Sequence, residues 1–141
     1  MRWIKAHQDD SNNVWQMSPA SGTVLVVDDD AAVRAALKFA LEVEGFQVQL
    51  YDGSRALLAD TKLPARACLV IDYHMPEIDG IDLAKKLRHR HVALPIILIS
   101  GRMNEQVRRR AQRSGLTRIL EKPLSDAALV ENISAALSEV A

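Results

Sequence analysis

A single cysteine, Cys68, leaves no intramolecular disulfide to staple the fold, and its place inside an apolar run makes it a small core side chain. That usage fits a reducing compartment, and the chain is expected to be cytoplasmic. Net charge is also missing: 18 basic residues balance 18 acidic ones, so no global field draws in nucleic acid or anionic lipid. Aromatic side chains make up only 4% and none interleaves the arginines, which argues against direct nucleic-acid binding. No run approaches the roughly twenty apolar residues of a membrane helix. The basic start Met1-Arg2-Trp3-Ile4-Lys5 is followed by neither an apolar region nor a small-residue cleavage site, so a secretory signal is not expected. A Gly-rich phosphate-binding turn is absent after the first apolar run, which disfavours dinucleotide binding.

What is present suffices for one domain: 141 residues, 48% of them hydrophobic. Residues 1–21 read as a polar, flexible N-terminal extension and 22–141 as the folded unit. From Thr23 onward, short apolar runs alternate with segments of helical period, the pattern of an α/β fold with a parallel sheet. Strands are expected at 24–27, 46–50, 68–71, 96–99 and 118–120, and helices near 31–44, 54–60, 81–90, 104–114 and 125–139. Val33, Leu37, Ala40 and Leu41 form one helical stripe, with Gly45 as its left-handed stop. Leu129, Ile133, Ala136, Leu137 and Val140 form another, with Ser125 as N-cap. The first, third and fourth strands are continuously apolar and belong in the middle, while the alternating 46–50 and the short 118–120 suit the edges. This matches a doubly wound, flavodoxin-like five-stranded sheet of order 2-1-3-4-5, whose winding reverses at a crevice beyond the carboxyl ends of strands one and three.

That crevice receives the most informative residues. Asp28, Asp29 and Asp30 follow Val24-Leu25-Val26-Val27, and Asp72 closes Cys68-Leu69-Val70-Ile71. Crowded carboxylates need a compensating cation, and hard oxygen donors favour magnesium over zinc, which would want His or Cys. Ser100 and Lys122 stand just beyond the carboxyl ends of the remaining strands. A hydroxyl and a cation beside an acidic metal site are what phosphoryl oxygens require.

The motifs Val26-Val27-Asp28-Asp29-Asp30, Ile71-Asp72-Tyr73-His74-Met75-Pro76-Glu77-Ile78-Asp79-Gly80, Ile99-Ser100-Gly101 and Glu121-Lys122-Pro123-Leu124 together resemble the receiver domain of bacterial two-component response regulators. The resemblance runs from about residue 22 to the end of the chain. It implies a phosphoprotein of a phosphorelay, in which Asp72 accepts a phosphoryl group from a sensor histidine kinase or a histidine phosphotransfer protein. It also implies Mg2+ held by Asp29, Asp72 and the backbone carbonyl of His74, with Asp28 acting through a water. Ser100 and the Gly101 N–H would bind the phosphoryl oxygens, Lys122 would pair with them, and Lys122-Pro123 is a candidate cis bond. By its position in the family pattern Asp30 would fall outside the metal shell, which suits it to helix capping. The resemblance also implies that His74 and Arg102 occupy positions bordering the path of attacking water.

Modification at Asp72 would then switch a partner-binding surface. The aromatic residue that usually moves in such a switch in the family is replaced by Ile119, which has no ring to swing. The fourth helix has a thin apolar stripe of Met103, Val107 and Ala111, and nearby Arg102, Arg108, Arg109, Arg110, Arg113 and Arg118 make a basic patch, either a solvated face or a docking surface. His89 and His91 suit the carboxyl end of the third helix. The expectation is a stand-alone receiver, monomer or weak dimer, with an unknown downstream protein and no membrane partner. The alternatives are a fragment of a longer regulator with a DNA-binding or enzymatic output, and a Mg-dependent phosphohydrolase, disfavoured because no second carboxylate follows Asp72 at Asp-x-Asp spacing. A binding-only pseudo-receiver is disfavoured because every expected site residue is present.

Overall fold

The computed structural model describes residues 3–5, 15–17 and 22–139. Within the span expected as a flexible extension, β1 (Trp3–Lys5) and β2 (Trp15–Met17) pair antiparallel; the rest of 1–21 lies outside the described residues. The larger sheet comprises β3 (Thr23–Val27), β4 (Gln47–Tyr51), β5 (Ala67–Asp72), β6 (Ile96–Ser100) and β7 (Arg118–Glu121), all parallel, in the spatial order β4-β3-β5-β6-β7. Counted from β3, that is the expected 2-1-3-4-5. Between the strands run α1 (Ala31–Val43), α2 (Ser54–Ala59), α3 (Gly80–His89) and α4 (Glu105–Arg113), and α5 (Asp126–Ser138) follows β7.

Strand periodicity divides the core in two. Leu25, Val27, Leu69, Ile71 and Leu98 face one side, where they meet Leu57 of α2, Leu83 and Leu87 of α3 and Ala111 of α4. Their neighbours Val24, Val26, Cys68, Val70, Ile97 and Ile99 face the other side and pack on Leu37 and Leu41 of α1 and on Leu129, Ile133 and Leu137 of α5. Helices on both faces are why the three central strands carry no polar residue until their ends. Burial pushes the Cys68 thiol up to about 12, in keeping with an inert core residue.

The caps follow the sequence. Asp30 accepts from the Ala32 and Val33 N–H groups at the start of α1, Ser125 accepts from Ala128 at the start of α5, and Gly45 has φ +100°. The edge strand differs from expectation by one residue. Leu50, the last apolar position of the expected alternating strand, is 37% exposed, and Tyr51, on the opposite face, is buried, pairing in register with Val27 and donating its hydroxyl to Asp60 at 2.6 Å. Burial, then the Asp60 hydrogen bond, raise that phenol to about 12. Val140, assigned to the α5 stripe, lies outside the described residues.

Candidate phosphoacceptor site

Where β3 and β5 end side by side, their last apolar pair is Val27 against Ile71, and the next residues are Asp28 and Asp72. Parallel register therefore puts two carboxylates on adjacent strand ends. Both are buried, while Asp29 is exposed at the rim. Asp28, Asp29 and Asp72 each offer a carboxylate oxygen, and these oxygens all lie within 4.8 Å of one another.

The electrostatics are those of an anion cluster only partly compensated by Lys122. Burial raises the Asp72 carboxyl above its ordinary value and the Asp28 charge adds to that, against a downward pull from Lys122 and the His74 N–H. Asp28 is likewise raised, first by burial and then by Asp29 and Asp30, although the Asp30 N–H bonds its Oδ1 at 2.8 Å and Lys122 opposes the rise. Lys122 Nζ lies 3.6 Å from Asp72 Oδ1 and 4.0 Å from Asp28 Oδ2. These are charge contacts too long for good hydrogen bonds. Asp72 Oδ1 is buried with no hydrogen-bond partner among the described residues. A buried oxygen left bare is costly, and a hard cation or an electrophile at that atom relieves the cost. The donor set, all carboxylate oxygen with neither Cys nor imidazole nitrogen, fits magnesium.

The other expected residues flank this cluster. Ser100, fully buried, is the last residue of β6, but its hydroxyl donates to the Arg102 carbonyl at 3.0 Å and accepts from the Arg102 N–H at 3.3 Å. It is therefore held within its own loop. Gly101 follows it, exposed; a Cβ there would stand 4.0 Å from Cδ of Lys122. The Lys122-Pro123 bond is cis, as expected, and the Lys122 N–H bonds the Ser100 carbonyl at 2.8 Å. His74, with Asp29, Tyr73, Met75, Pro76 and Asp79, lines an open crevice of about 400 Å³ beside the acids.

The chain matches the model of the response regulator receiver domain over residues 24–134. The chain belongs to the response-regulator receiver family. It is 35% identical to the transcriptional regulatory protein FixJ of Bradyrhizobium diazoefficiens over 118 residues, covering 84% of this chain and 58% of that protein. It is 31% identical to the response regulator protein TodT of Pseudomonas putida over 121 residues, covering 86% of this chain and 53% of that one. The chain thus spans little more than half the length of these relatives. Among solved structures, the receiver resembles FixJ-N with a TM-score of 0.76 and 31% identity, covering 85% of this chain and 96% of that one. A Francisella response regulator receiver domain is similar at TM-score 0.76 and 27% identity, covering 85% and 99%. Receivers of this family are regulatory domains that bind magnesium and work with histidine kinases and downstream effectors. No helix among the described residues is long and apolar enough to cross a membrane.

Two arginines near the site carry contacts that the sequence pattern did not separate from surface charge. Arg34, on α1, donates from Nη1 to the Asp28 carbonyl at 2.7 Å and so ties the acidic loop to the helix behind it. Arg110, counted with the basic patch, instead crosses to α3 and pairs with Asp79 at 2.9 Å and Asp82 at 2.7 Å. Arg109 pairs with Glu105, and Arg118 with Glu139. The patch is therefore partly neutralised by the protein itself. The one available signal was the Asp79–Asp82 spacing, an acidic pair at the N-cap and in the first turn of a helix, but nothing in the sequence says which arginine reaches it.

Proposed function

We propose that residues 22–141 are the phosphoacceptor unit, with 1–21 an extension outside it, and that Asp72 takes a phosphoryl group from a phosphohistidine. The donor would be a sensor histidine kinase or a histidine phosphotransfer protein. The bare, buried Asp72 Oδ1 beside Lys122 carries this reading. In the transfer, a carboxylate oxygen forms a bond to phosphorus while the P–N bond to imidazole breaks and the imidazole leaves with a proton. Hydrolysis reverses the charge change: water attacks phosphorus, inorganic phosphate departs and the carboxylate is restored. The receiver thus promotes its own modification and its loss, without turning over an external substrate.

Asp28, Asp29 and Asp72, with the His74 backbone carbonyl, are the residues that would hold Mg2+. That ion supplies positive charge against which an anionic nucleophile meets an anionic donor. Lys122 adds a second positive charge on the same side. Ser100 and the Gly101 N–H are assigned to the phosphoryl oxygens, which requires the Ser100 hydroxyl to leave its Arg102 contacts. His74 and Arg102 flank the approach of water. The output is a change in which downstream protein the receiver binds, and the setting is the cytoplasm.

Incubation with a small acyl phosphate and magnesium is expected to add the mass of one phosphoryl group. An unchanged mass, or a gain that persists equally when magnesium is chelated, would defeat the proposal. Lys122→Met keeps the stem and removes the charge; the rate of uptake is expected to fall about 100-fold, read by the same mass assay over time. The greater length of FixJ and TodT supports a second reading, in which the receiver governs an output segment of a longer regulator. The native reading frame decides between them.

A further inference from the structure

α4 is held by little that is apolar. Ala111 is its one buried side chain, Val107 packs only partly against the core, and the rest of the helix is polar or exposed. Its firmest tie among the described residues is ionic. Arg110 Nη1 donates to Asp79 Oδ2 at 2.9 Å and Nη2 donates to Asp82 Oδ1 at 2.7 Å, so one planar guanidinium is forked across two carboxylates. Arg110 and Asp79 keep only about a third and a quarter of their side chains in water, which sets this clamp apart from the open Arg109–Glu105 pair.

The far side of the clamp leads straight to the phosphoacceptor. Asp79 is the N-cap of α3, its other oxygen accepting the Asp82 N–H at 2.8 Å. Burial opposes ionisation of Asp79, but the Arg110 hydrogen bond, the Asp82 N–H and the guanidinium charge outweigh it and hold the carboxyl below its ordinary value. The next residue, Gly80, donates its N–H to the Tyr73 carbonyl at 3.0 Å and lies so close to Asp72 that a Cβ would stand 2.6 Å from the Asp72 carbonyl oxygen. At its other end, α4 is joined to Ser100 by Gly101, Arg102, Met103 and the N-cap Asn104. The Ser100 hydroxyl holds both the carbonyl and the N–H of Arg102, two residues before that N-cap, so a hydroxyl that turns away releases both bonds. That would leave the start of α4 less constrained while Arg110 still anchors the next turn to α3.

We propose that Arg110 is a latch: its fork onto Asp79 and Asp82 holds α4 in the unmodified position and sets how readily modification at Asp72 is converted into movement of α4. The proposal rests on Asp72 being the phosphoacceptor. Breaking the latch removes an interaction that favours the unmodified state alone, so a phosphoryl mimic then binds without working against it.

The test uses beryllofluoride, which adds to a carboxylate as a phosphoryl mimic, titrated with magnesium into wild type, Arg110→Met and Asp82→Asn. Both variants are expected to bind it about tenfold more tightly than wild type, with Arg110→Lys in between. In the absence of metal and mimic, the α4 backbone amides of both variants should exchange with deuterium faster while those of β3 and β5 do not change. Two folded variants with unchanged or weaker beryllofluoride affinity, or with unchanged α4 exchange, would overturn the latch. Failure of wild type to bind beryllofluoride would instead overturn the phosphoacceptor reading on which the latch depends. The Asp82 variant guards against loss of fold at Arg110, since Asp82 is about half exposed and stands outside the acid cluster.

Discussion

Asp72→Asn is expected to abolish phosphoryl uptake completely and, without metal, to make the receiver more stable. The two effects have one origin. Asp72 is buried beside a second buried carboxylate, with one oxygen unpaired and a lysine too distant to compensate fully. In its ionised form it costs the folded state part of its hydration and adds repulsion with Asp28, whereas an amide of the same shape carries neither burden. A gain of about 1 kcal/mol is expected in urea denaturation with metal chelated. An amide oxygen is also too weak a nucleophile to form the P–O bond, so the mass gain seen with acyl phosphate should vanish. A variant that is less stable than wild type without metal would contradict this account of the site's electrostatics. A variant that is still labelled would move the phosphoacceptor elsewhere.

Gly80→Val is expected to have the largest effect on the fold itself. Gly80 opens α3 directly against the end of β5, and any Cβ there would lie 2.6 Å from the Asp72 carbonyl oxygen, 2.8 Å from Leu98 Cδ1 and 3.0 Å from Tyr73 Cα. Two of those three atoms are backbone and cannot move aside as a flexible side chain can. An alanine is expected to cost about 1–3 kcal/mol and a valine more, because overpacking at a rigid contact must displace the strand or the helix. Phosphoryl uptake should fall as well, since a displacement of about 1 Å at a reacting group can cost about 100-fold. Gly53 is the control. Its backbone is extended and nothing lies within 4 Å of its Cβ position, so Gly53→Ala should stay within about 0.5 kcal/mol of wild type. Equal stability of the Gly80 and Gly53 variants would show that α3 is not packed on the end of β5 as described.

Much of this molecule is local in origin. The continuously apolar runs of β3, β5 and β6 can exist only under helices on both faces, and the carboxylates that end β3 and β5 fall together once those strands lie side by side in parallel register. The caps at Asp30 and Ser125 and the left-handed stop at Gly45 are equally local, each requiring one residue type at one place in a helix. The edge strand was less legible. In Gln47-Val48-Gln49-Leu50-Tyr51, Val48 and Leu50 share one face and Tyr51 takes the other, and the packing left Leu50 exposed while Tyr51 beside Val27 is buried.

The order of chemistry-bearing residues along the chain thus determined the fold, the place of the acidic crevice and the types of side chain that meet there, because each follows from periodicity, strand ends and charge. Only the tertiary structure decided how those side chains are engaged. It bound the Ser100 hydroxyl to Arg102, left one oxygen of Asp72 bare, and chose Arg110 out of a run of arginines to span from α4 to α3. Sequence spacing says which residues can share a helix face. The pairing of a long, flexible side chain with acids some thirty positions away depends on where two helices come to rest against the sheet, and that is fixed by the packing of the whole core.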